Sequence, residues 1–228
     1  REEWTRWGTP YFIAWTTTPW TLPSNTALCV GPNIEYVAVE TYNTYNDKPI
    51  TVIIAESRLD AYLKPEGREL TLDNYKHGDK VVPYRVIGTY TGAELVGLKY
   101  QQLMPWVKPS AKLDANTPAF VHSYAAAHPE KIFTGENGKD QFVEMAEKAF
   151  RVIPGDYVTT GDGTGIVHIA PTFGADDAKV AKDSEIPSLF LINRRGETRP
   201  MVDLQGKYYV QNELDAHFVE ESVDVEAY

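Results

Sequence analysis

The hydrophobic residues of the chain fall mainly into short runs of the kind that form β-strands. These runs are rich in β-branched and aromatic residues and are bounded by Gly, Pro, Asn or Asp, a pattern typical of strands. Because 15 prolines and 16 glycines divide the chain, we expect an α+β fold whose β-barrel-like core is built from many short strands, with a few peripheral helices. The predicted strands are residues 11–15, 36–39, 50–54, 85–90, 119–122 and 165–169.

Three other stretches have the pattern of helices. Residues 139–150 carry apolar residues three and four positions apart, which predicts a helix with a single apolar stripe in the core. Residues 175–184 predict a second helix, because Asp176 and Asp177 suit the positive end of a helix dipole. Residues 55–63 predict a short helix. The stripe of the first helix consists of Phe142, Met145, Ala146, Ala149 and Phe150.

The length and composition of the chain are those of a globular protein. Hydrophobic residues make up 43% and charged residues 24% of the 228 residues, which disfavours disorder, and we interpret 1–228 as a single domain with boundary segments at 1–10 and 211–228. The single cysteine, Cys29, excludes an internal disulfide or a multi-thiolate metal site. No apolar run approaches the ~20 residues of a membrane-spanning helix. Neither a signal peptide nor an initiator methionine is present, so we expect a cytoplasmic piece of a longer chain.

The net charge of −10 limits how this protein handles a nucleic acid. Bulk attraction to phosphates needs many Lys and Arg residues, so an acidic domain must hold a nucleic-acid end in a pocket or depend on a partner domain. The charge is uneven, because residues 208–228 contain six acidic residues and no Lys or Arg. We interpret this tail as a solvated edge strand or linker.

Several common catalytic motifs are absent. There is no G-x-S-x-G elbow and no phosphate-binding P-loop. The glycines of residues 161–165 precede a predicted strand, whereas those of a dinucleotide fingerprint follow one. His122 and His128 are six positions apart without an intervening acid, which matches no zinc-binding spacing. The sequence therefore disfavours covalent catalysis and catalysis by a metal ion.

Two segments are chemically unusual. In residues 15–27, three consecutive threonines precede a proline, which favours a rigid extended stretch; alternate hydroxyls can then face a cavity, beside the Trp20 ring and the Asn25 amide. In residues 163–177, His168 ends a strand, a Pro/Gly turn follows, and an acid pair opens a helix. Each segment alone has a structural alternative: a threonine-rich strand, a packed histidine at a strand end, or a helix-start charge.

Together these two segments resemble the editing domain of isoleucyl-tRNA synthetase, the connective-peptide insertion of that class I enzyme. The resembling sequences are Trp-Thr-Thr-Thr-Pro-Trp-Thr-Leu-Pro, Gly-Thr-Gly-Ile-Val-His-x-Ala-Pro and a downstream Gly-x-Asp-Asp, and residues 92–100 add a third match. The valine and leucine relatives carry Thr-Thr-Arg-Pro where this chain has Thr17-Thr18-Pro19. The HIGH and KMSKS motifs of the synthetic site are absent, so the resemblance implies the editing-domain fold and no amino-acid activation.

The resemblance implies hydrolysis of valine attached in error to isoleucine tRNA, as an ester at the 3′-terminal ribose. Whether valyl-adenylate is a further substrate stays open. Valine and isoleucine differ by one methylene, which is worth only ~1–3 kcal/mol in a pocket, a limit for which isoleucyl-tRNA synthetase is itself the standard example. A second site that admits valine and excludes isoleucine removes the error. An aminoacyl ester is already reactive, so the site has mainly to position it and a water molecule.

The resemblance also assigns roles to residues. Asp177 corresponds to the carboxylate that holds the substrate α-ammonium through a charge-assisted contact. His168 corresponds to a gatekeeper whose ring blocks the larger isoleucine, and the threonines correspond to residues that position the terminal adenosine and the scissile ester. Asp176 is interpreted as a helix cap. The catalytic candidates are thus Thr17, Thr18, His168 and Asp177, and the substrate-binding candidates are Thr16, Trp20, Asn25 and Asp177.

No cofactor or metal ion is expected in this domain; the parent enzyme would use ATP and Mg²⁺, with Zn²⁺ a candidate elsewhere in it. The expected partners are the valine-carrying 3′ acceptor end of isoleucine tRNA and the rest of the synthetase chain, with no membrane and a monomeric state. Two alternatives stay open: a non-catalytic module that binds the acceptor end or the adenylate, and an unrelated β-barrel that binds a ligand or another protein. The residues interpreted as ordinary surface or core positions are Cys29, His77, His122, His128 and His217.

Overall fold

A computed structural model describes residues 1–228. By their internal contacts the residues form two compact units, each assembled from three stretches of chain. Unit 1 comprises Arg1–Thr16, Cys29–Val96 and Pro154–Val167, and unit 2 comprises Thr17–Leu28, Gly97–Ile153 and His168–Tyr228. The interpretation of 1–228 as a single domain stays a prediction.

Secondary structure consists of short elements throughout. The twelve strands β1 to β12 are, in order, Thr9–Phe12, Ala27–Val30, Glu35–Tyr42, Pro49–Ala55, Arg85–Thr91, Ser110–Lys112, Ile132–Thr134, Gln141–Glu144, Arg151–Pro154, Ile166–Ile169, Leu191–Ile192 and Thr198–Arg199. The five α-helices α1 to α5 are Leu59–Tyr62, Gly92–Leu95, Ala119–Ala127, Ala175–Asp183 and Ala216–Ser222. Short 3-10 helices lie between them, at Glu2–Thr5, Pro19–Ser24, Glu56–Arg58, Pro65–Glu69, Leu72–Asn74, Pro129–Lys131, Ala146–Lys148 and Gln211–Glu213.

The strands form four small sheets. Their strand orders are β1-β4-β3-β5, β10-β2-β9, β6-β8-β7 and β11-β12. The expected α+β class, with many short strands and few helices, is confirmed. The sheets are open, and none of them closes into a barrel.

The four-stranded sheet of unit 1 is held together by β-branched residues on its longest strands. β3 pairs antiparallel with β4 and β5, and β1 joins β4 in parallel. Val39 lies opposite Val52, and both belong to a buried cluster that also contains Ile54, Leu59 and Tyr84. Valine and isoleucine suit this setting because their side chains pack well on a pleated, covered surface. Three predicted strands are confirmed in this sheet: 36–39, 50–54 and 85–90.

A glycine-rich turn of unit 1 leads into β10. Gly165 has φ +78°, and a Cβ atom there would lie 2.6 Å from the Cβ of Ala55, so only glycine fits without strain. The Gly165 carbonyl accepts a hydrogen bond from the Tyr36 hydroxyl at 2.5 Å, and the Ala55 N–H donates to the Thr164 carbonyl at 2.9 Å. The turn therefore determines where β10 begins, and the strand predicted over 165–169 is confirmed.

Unit 2 has two buried clusters, and strand β8 contributes to both. One cluster contains Phe142 and Phe218, and the other joins Val143 to Val121 and Tyr124 of α3. Successive side chains of a strand point to opposite faces, so the adjacent Phe142 and Val143 enter different clusters. The other buried members of the first cluster are Val107, Leu189, Leu191, Ile192, Met201, Val202 and Leu214.

The helix predicted over 139–150 is wrong. The chain there forms β8 and the 3-10 helix Ala146–Lys148. Four of the five stripe residues are buried, with Phe142, Met145 and Ala149 each at most 2% exposed, and Ala146 is half-buried. The cause of this burial differs from the predicted one. Both faces of β8 are covered, and a strand with two apolar faces followed by an apolar turn imitates the spacing of a helix.

The strand predicted over 119–122 is also wrong, because these residues begin helix α3. Pro118 is the N-cap residue of this helix, where a missing N–H costs no intrahelical hydrogen bond. The buried residues of α3 are Val121, Tyr124 and Ala125, which are three and four positions apart and form one helix face. A window of four residues is too short to reveal this period.

The solvated edge strand or linker predicted over 208–228 is wrong as well. Leu214 and Phe218 belong to the first cluster of unit 2, and α5 occupies the middle of the tail. Asp215 is completely buried; it caps α5 by accepting the Phe218 N–H at 2.9 Å and also accepts the Glu136 N–H at 2.7 Å. Asp215, one of the six acidic residues of the tail, therefore lies in the core. Its buried carboxylate is tolerated because N–H groups donate hydrogen bonds to it.

Three further predicted elements form with shifted ends. The helix predicted over 175–184 is α4, and the short helix predicted over 55–63 is a 3-10 turn that continues into α1. The strand predicted over 11–15 stops at Phe12, beyond which Trp15 forms only an isolated bridge.

Candidate active site

The threonine-rich segment turns into a 3-10 helix directly after Thr18. Thr18 has φ −126° and ψ 67°, and the helix Pro19–Ser24 begins with its proline, whose fixed φ suits a helix start. The Thr21 N–H closes the first turn on the Thr18 carbonyl at 3.0 Å. Thr16 and Thr17 lie outside regular structure, so the extended stretch predicted here is short and does not continue as a strand.

His168, on β10, is hydrogen-bonded through both ring nitrogens. Nδ1 lies 2.7 Å from Nδ2 of Asn25, and Nε2 lies 2.9 Å from Oγ1 of Thr21. Because an amide nitrogen only donates, Nδ1 accepts, which assigns the ring proton to Nε2 and makes Nε2 donate to Thr21. The Thr21 hydroxyl in turn donates to the Thr18 carbonyl at 2.8 Å.

Asn25 is held in its orientation by Tyr100. The Tyr100 hydroxyl donates to Oδ1 of Asn25 at 2.5 Å, and Nδ2 of Asn25 donates a second bond to the Ala27 carbonyl at 2.9 Å. Reversing the amide would set its oxygen against the Ala27 carbonyl, so Nδ2 must face His168. We refer to the side chains joined in this way as the histidine network: Tyr100, Asn25, His168, Thr21 and Thr18.

Burial determines the charge state of the network. His168 is 9% exposed, and desolvation lowers the pKa of its imidazole from 6.5 to about 4. Burial also raises the pKa of the Tyr100 hydroxyl, which keeps it protonated and donating. The imidazole is therefore neutral at pH 7 with both nitrogens engaged. The ring is fixed and uncharged, and it would act as a general base only after losing its bond to Asn25.

Asp177, the third residue of α4, is half-buried and has no cationic partner. Its Oδ2 accepts the Ala170 N–H at 2.9 Å, and no Lys, Arg or His forms an ion pair with it. Desolvation raises the pKa of its carboxyl, the charge of Asp176 adds to this, and the bond from Ala170 opposes it. Because Ala170 follows His168 by two residues, chain geometry places this carboxylate within about 9 Å of the His168 Cα.

The remaining predicted site residues lie outside the network. Thr17 is exposed, and the Trp20 ring is 53% exposed, which excludes a core role for that ring. Thr16 is the last residue of the first stretch of unit 1, and its part in the site stays a prediction. Asp176 is exposed and makes no capping hydrogen bond, since the N-cap residue is Gly174. The capping role predicted for Asp176 is therefore wrong, and only its charge near the helix start remains.

The sequence alone did not reveal Thr21 or Tyr100 as members of the network. Thr21 lies inside the threonine-rich segment, and Tyr100 ends the third resembling segment, residues 92–100, so the location of both was indicated. Their partners were not, because Thr21 bonds to a residue 147 positions away and Tyr100 to one 75 positions away.

Other candidate chemistry is sparse. No group of three or more His, Cys, Asp and Glu side chains could hold a metal ion, and no helix has the length and apolar character needed to cross a membrane. The expectations of no cofactor and no metal site stay predictions. The residues predicted to be ordinary are exposed (His77, His122, His217), half-buried (His128) or buried (Cys29).

The sequence is closely similar to long ligases of bacteria. An isoleucine–tRNA ligase of Bacteroides thetaiotaomicron is 55% identical over 228 residues, which are 100% of this chain and 18% of that protein. Isoleucine–tRNA ligases of Bacteroides fragilis and Porphyromonas gingivalis are 53% and 47% identical, over 100% and 97% of this chain and 17% and 16% of their own lengths. No protein-family model matches the chain.

Solved structures with some likeness come from leucyl-tRNA synthetases. The editing domain of the Plasmodium knowlesi cytosolic enzyme has a TM-score of 0.44 and 14% identity, covering 76% of this chain and 50% of that one. The CP1 region of GlLeuRS has a TM-score of 0.39 and 19% identity, covering 76% of this chain and 43% of that one. Likeness at these TM-scores does not by itself establish a shared fold.

The curated relatives are aminoacyl-tRNA ligases, and this chain spans 18% or less of their length. Within that class, the chain belongs to the isoleucyl-tRNA synthetase family. The family that the threonine-rich and histidine-containing segments resembled is thereby confirmed.

Proposed function

We propose that this chain is the proofreading domain of an isoleucyl-tRNA synthetase and that it hydrolyses the ester of valine attached to isoleucine tRNA. The observation that carries the proposal is the combination of Asp177, a carboxylate without a cationic partner, and His168, a neutral residue whose Cα lies within about 9 Å of it. The first can bind a positive charge and the second can limit size. Recognition of a small α-amino acid requires both, and the family of the chain supports the same function.

Asp177 supplies the contact for the substrate α-ammonium. A half-buried carboxylate without a cation is unfavourable, as the raised pKa of its carboxyl reflects, and an ammonium group beside it would remove that penalty. Since Ala170 occupies Oδ2, Oδ1 receives the ammonium. A hydrogen bond to a charged group contributes ~1.5–3 kcal/mol, so the site prefers an ester with a free amino group.

His168 supplies the size limit. Its ring is held from both sides, and it swings away only if the bonds to Asn25 and Thr21 break. A fixed ring excludes one additional methylene by steric overlap, because packed protein interiors tolerate added volume poorly. Isoleucine is rejected in this way, and valine is admitted.

The hydrolysis itself needs positioning more than activation. Water attacks the ester carbonyl, the bond from the carbonyl carbon to the ribose oxygen breaks, and valine and the tRNA hydroxyl are released. The threonine-rich segment orients the ester and the terminal adenosine. The neighbouring hydroxyl of the terminal ribose accepts a proton from the attacking water and passes its own proton to the departing ribose oxygen. The proposal includes no cofactor in this domain, a monomeric parent synthetase in the cytoplasm, and the valine-carrying acceptor end of the tRNA as partner.

The first test compares Asp177→Asn with Asp176→Asn in the full-length synthetase that contains this chain. Asparagine keeps an acceptor for the Ala170 N–H but loses the charge, so deacylation of valine-charged isoleucine tRNA should fall ~10-fold or more. The Asp176→Asn control removes an exposed carboxylate one position away and should retain activity. Equal deacylation by the two variants would exclude Asp177 as the ammonium ligand.

The second test compares His168→Ala with His122→Ala, an exposed histidine of the same unit. Removing the His168 ring should let the enzyme hydrolyse correctly charged isoleucine tRNA, and the control should not. If that ester stays as long-lived as with the wild type, the size limit lies elsewhere. A wild-type chain that binds the acceptor end but releases no valine would support the non-catalytic alternative instead.

A further inference from the structure

Unit 2 contains a cavity of about 410 Å³ whose wall includes three arginines and one acidic residue, Glu213. This volume lies in the range of small-ligand sites. None of the predicted site residues lines the cavity. We refer to it as the arginine pocket and define it by Asn193, Arg194, Arg195, Arg199, Tyr209 and Asn212.

The hairpin of β11 and β12 holds the arginines in place. Oδ1 of Asn193 accepts the N–H groups of Arg195 and Glu197, both at 3.0 Å, which closes the turn. Nε of Arg194 donates to the Asn212 carbonyl at 2.8 Å. The arginines are therefore displayed from a hydrogen-bonded backbone that need not reorder when a ligand binds.

The arginine pocket concentrates positive charge in an otherwise acidic chain. Three of the four arginines of unit 2 lie in it. Arg195 and Arg199 share one carboxylate, that of Glu197, at 3.7 and 2.6 Å, whereas Arg194 has no acidic partner. With Glu197 and Glu213 counted, three positive and two negative charges leave a net charge of +1 here, against −10 for the chain.

A cavity of about 420 Å³ in unit 1 also has arginines in its wall, but they are engaged within the protein. Arg85 is bound to the buried carboxylate of Glu40, through Nε at 2.9 Å and through Nη2. Arg68 lies over the ring of Tyr84, 5.6 Å from its centroid. The terminal nitrogens of Arg194 have no such partner and remain available to an anion.

We propose that the arginine pocket binds the phosphodiester backbone of the tRNA whose aminoacyl end is hydrolysed, an inference that rests on the proposed function. The planar guanidinium fork matches phosphate oxygens, and the Tyr209 ring beside it offers a face for a base. This aromatic face and the Asn212 amide favour a nucleic acid over an acidic peptide. A local contact of this kind is what an acidic domain needs, because its bulk charge repels RNA.

The experiment measures deacylation of valine-charged isoleucine tRNA by the full-length synthetase. The Arg194→Glu/Arg195→Glu variant should raise KM ~10-fold or more with kcat unchanged, and the slope of log KM against log salt should fall by about 1 per arginine. Arg195→Glu alone is the milder variant, because it keeps the bond from Arg194 to the main chain. The control is Lys99→Glu, an exposed cation of unit 2 that lines neither cavity.

A second substrate separates RNA binding from general damage. The ester 3′-O-valyladenosine has no phosphate, so all four proteins should hydrolyse it equally, and its loss in the arginine variants would overturn the proposal in favour of a structural role. An unchanged KM and salt slope for charged tRNA would also overturn it and leave an acidic protein surface as the partner.

Failure of the proposed function has a different signature. In that case the wild type releases valine from neither substrate. The dissociation constant for uncharged isoleucine tRNA, measured at several salt concentrations, then decides the inference alone. A ~10-fold weakening in the double arginine variant supports it, and equal affinity overturns it.

Discussion

Acidification should destabilise the protein through His168. The folded state holds this imidazole at a pKa of about 4, against 6.5 for an ordinary histidine, so the unfolded chain binds the proton more tightly. The stability that the neutral ring contributes is present above pH ~6.5 and is lost as the pH falls toward ~4. Because one pKa unit corresponds to ~1.4 kcal/mol, the full effect is about 3 kcal/mol, most of which, roughly 2 kcal/mol, is lost between pH 7 and pH 4.5.

His168→Gln isolates this contribution, because glutamine cannot titrate but still offers a donor and an acceptor. The free energy of unfolding in urea is measured at pH 7 and pH 4.5 for the wild type, for this variant and for His122→Gln, an exposed control. The loss on acidification should be roughly 2 kcal/mol smaller in His168→Gln than in the other two proteins. Other titrating groups, including Asp177, are common to all three and cancel.

Equal losses of stability in the wild type and His168→Gln, within about 0.5 kcal/mol over this interval, would refute the desolvation of the ring. An NMR titration of the His168 ring with a midpoint near 6.5 would contradict it directly. Either result would mean that the ring is hydrated and not desolvated within the histidine network.

Two further substitutions test the packing around the site. Tyr100→Phe leaves Oδ1 of Asn25 buried without its donor and should lower the free energy of unfolding in urea by ~1–3 kcal/mol. The control Tyr45→Phe, at a side chain that is 96% exposed, should change it by less than ~0.5 kcal/mol. Equal free energies for the two variants would exclude the bond from Tyr100 to Asn25 as a stabilising contact. Phe142→Ala removes a completely buried ring and should cost ~3–5 kcal/mol; a loss below ~1 kcal/mol in the same assay would contradict the shared position of β8 in two clusters.

Elements with a local cause were predictable from sequence. The valines and isoleucines of β3 and β4 form both the strands and the cluster beneath them, and α4 begins where the acid pair indicated. The wrong elements depend on tertiary cover. β8 is a strand because other parts of unit 2 cover both of its faces, and the tail packs because Leu214 and Phe218 find a cluster to enter. A short window of sequence does not contain the distant residues that cover these elements in the fold.

The candidate site was predictable in its segments and not in its hydrogen bonds. The resemblance located the segments that contain Asn25 and His168. These two residues are 143 positions apart in the sequence, and Nδ2 of Asn25 lies 2.7 Å from Nδ1 of His168. The orientation of the ring depends on hydroxyls of Thr21 and Tyr100. A hydroxyl both donates and accepts and has no preferred partner type, so its role is decided only when the fold places a partner beside it.

Desolvation shifts the pKa values of His168 and Asp177 in opposite directions, and both shifts favour the uncharged form. It lowers the pKa of His168 and raises that of Asp177, because burial disfavours whichever form is charged. A protonated ring on His168, whose Cα lies within about 9 Å of the carboxylate, would partly offset the charge of Asp177, whereas a neutral ring leaves that charge without compensation. Under the proposed function, the substrate ammonium then becomes the cation that satisfies Asp177, and the same uncharged ring forms the wall for the aliphatic side chain. The burial that keeps His168 neutral therefore also prepares Asp177 for its ligand.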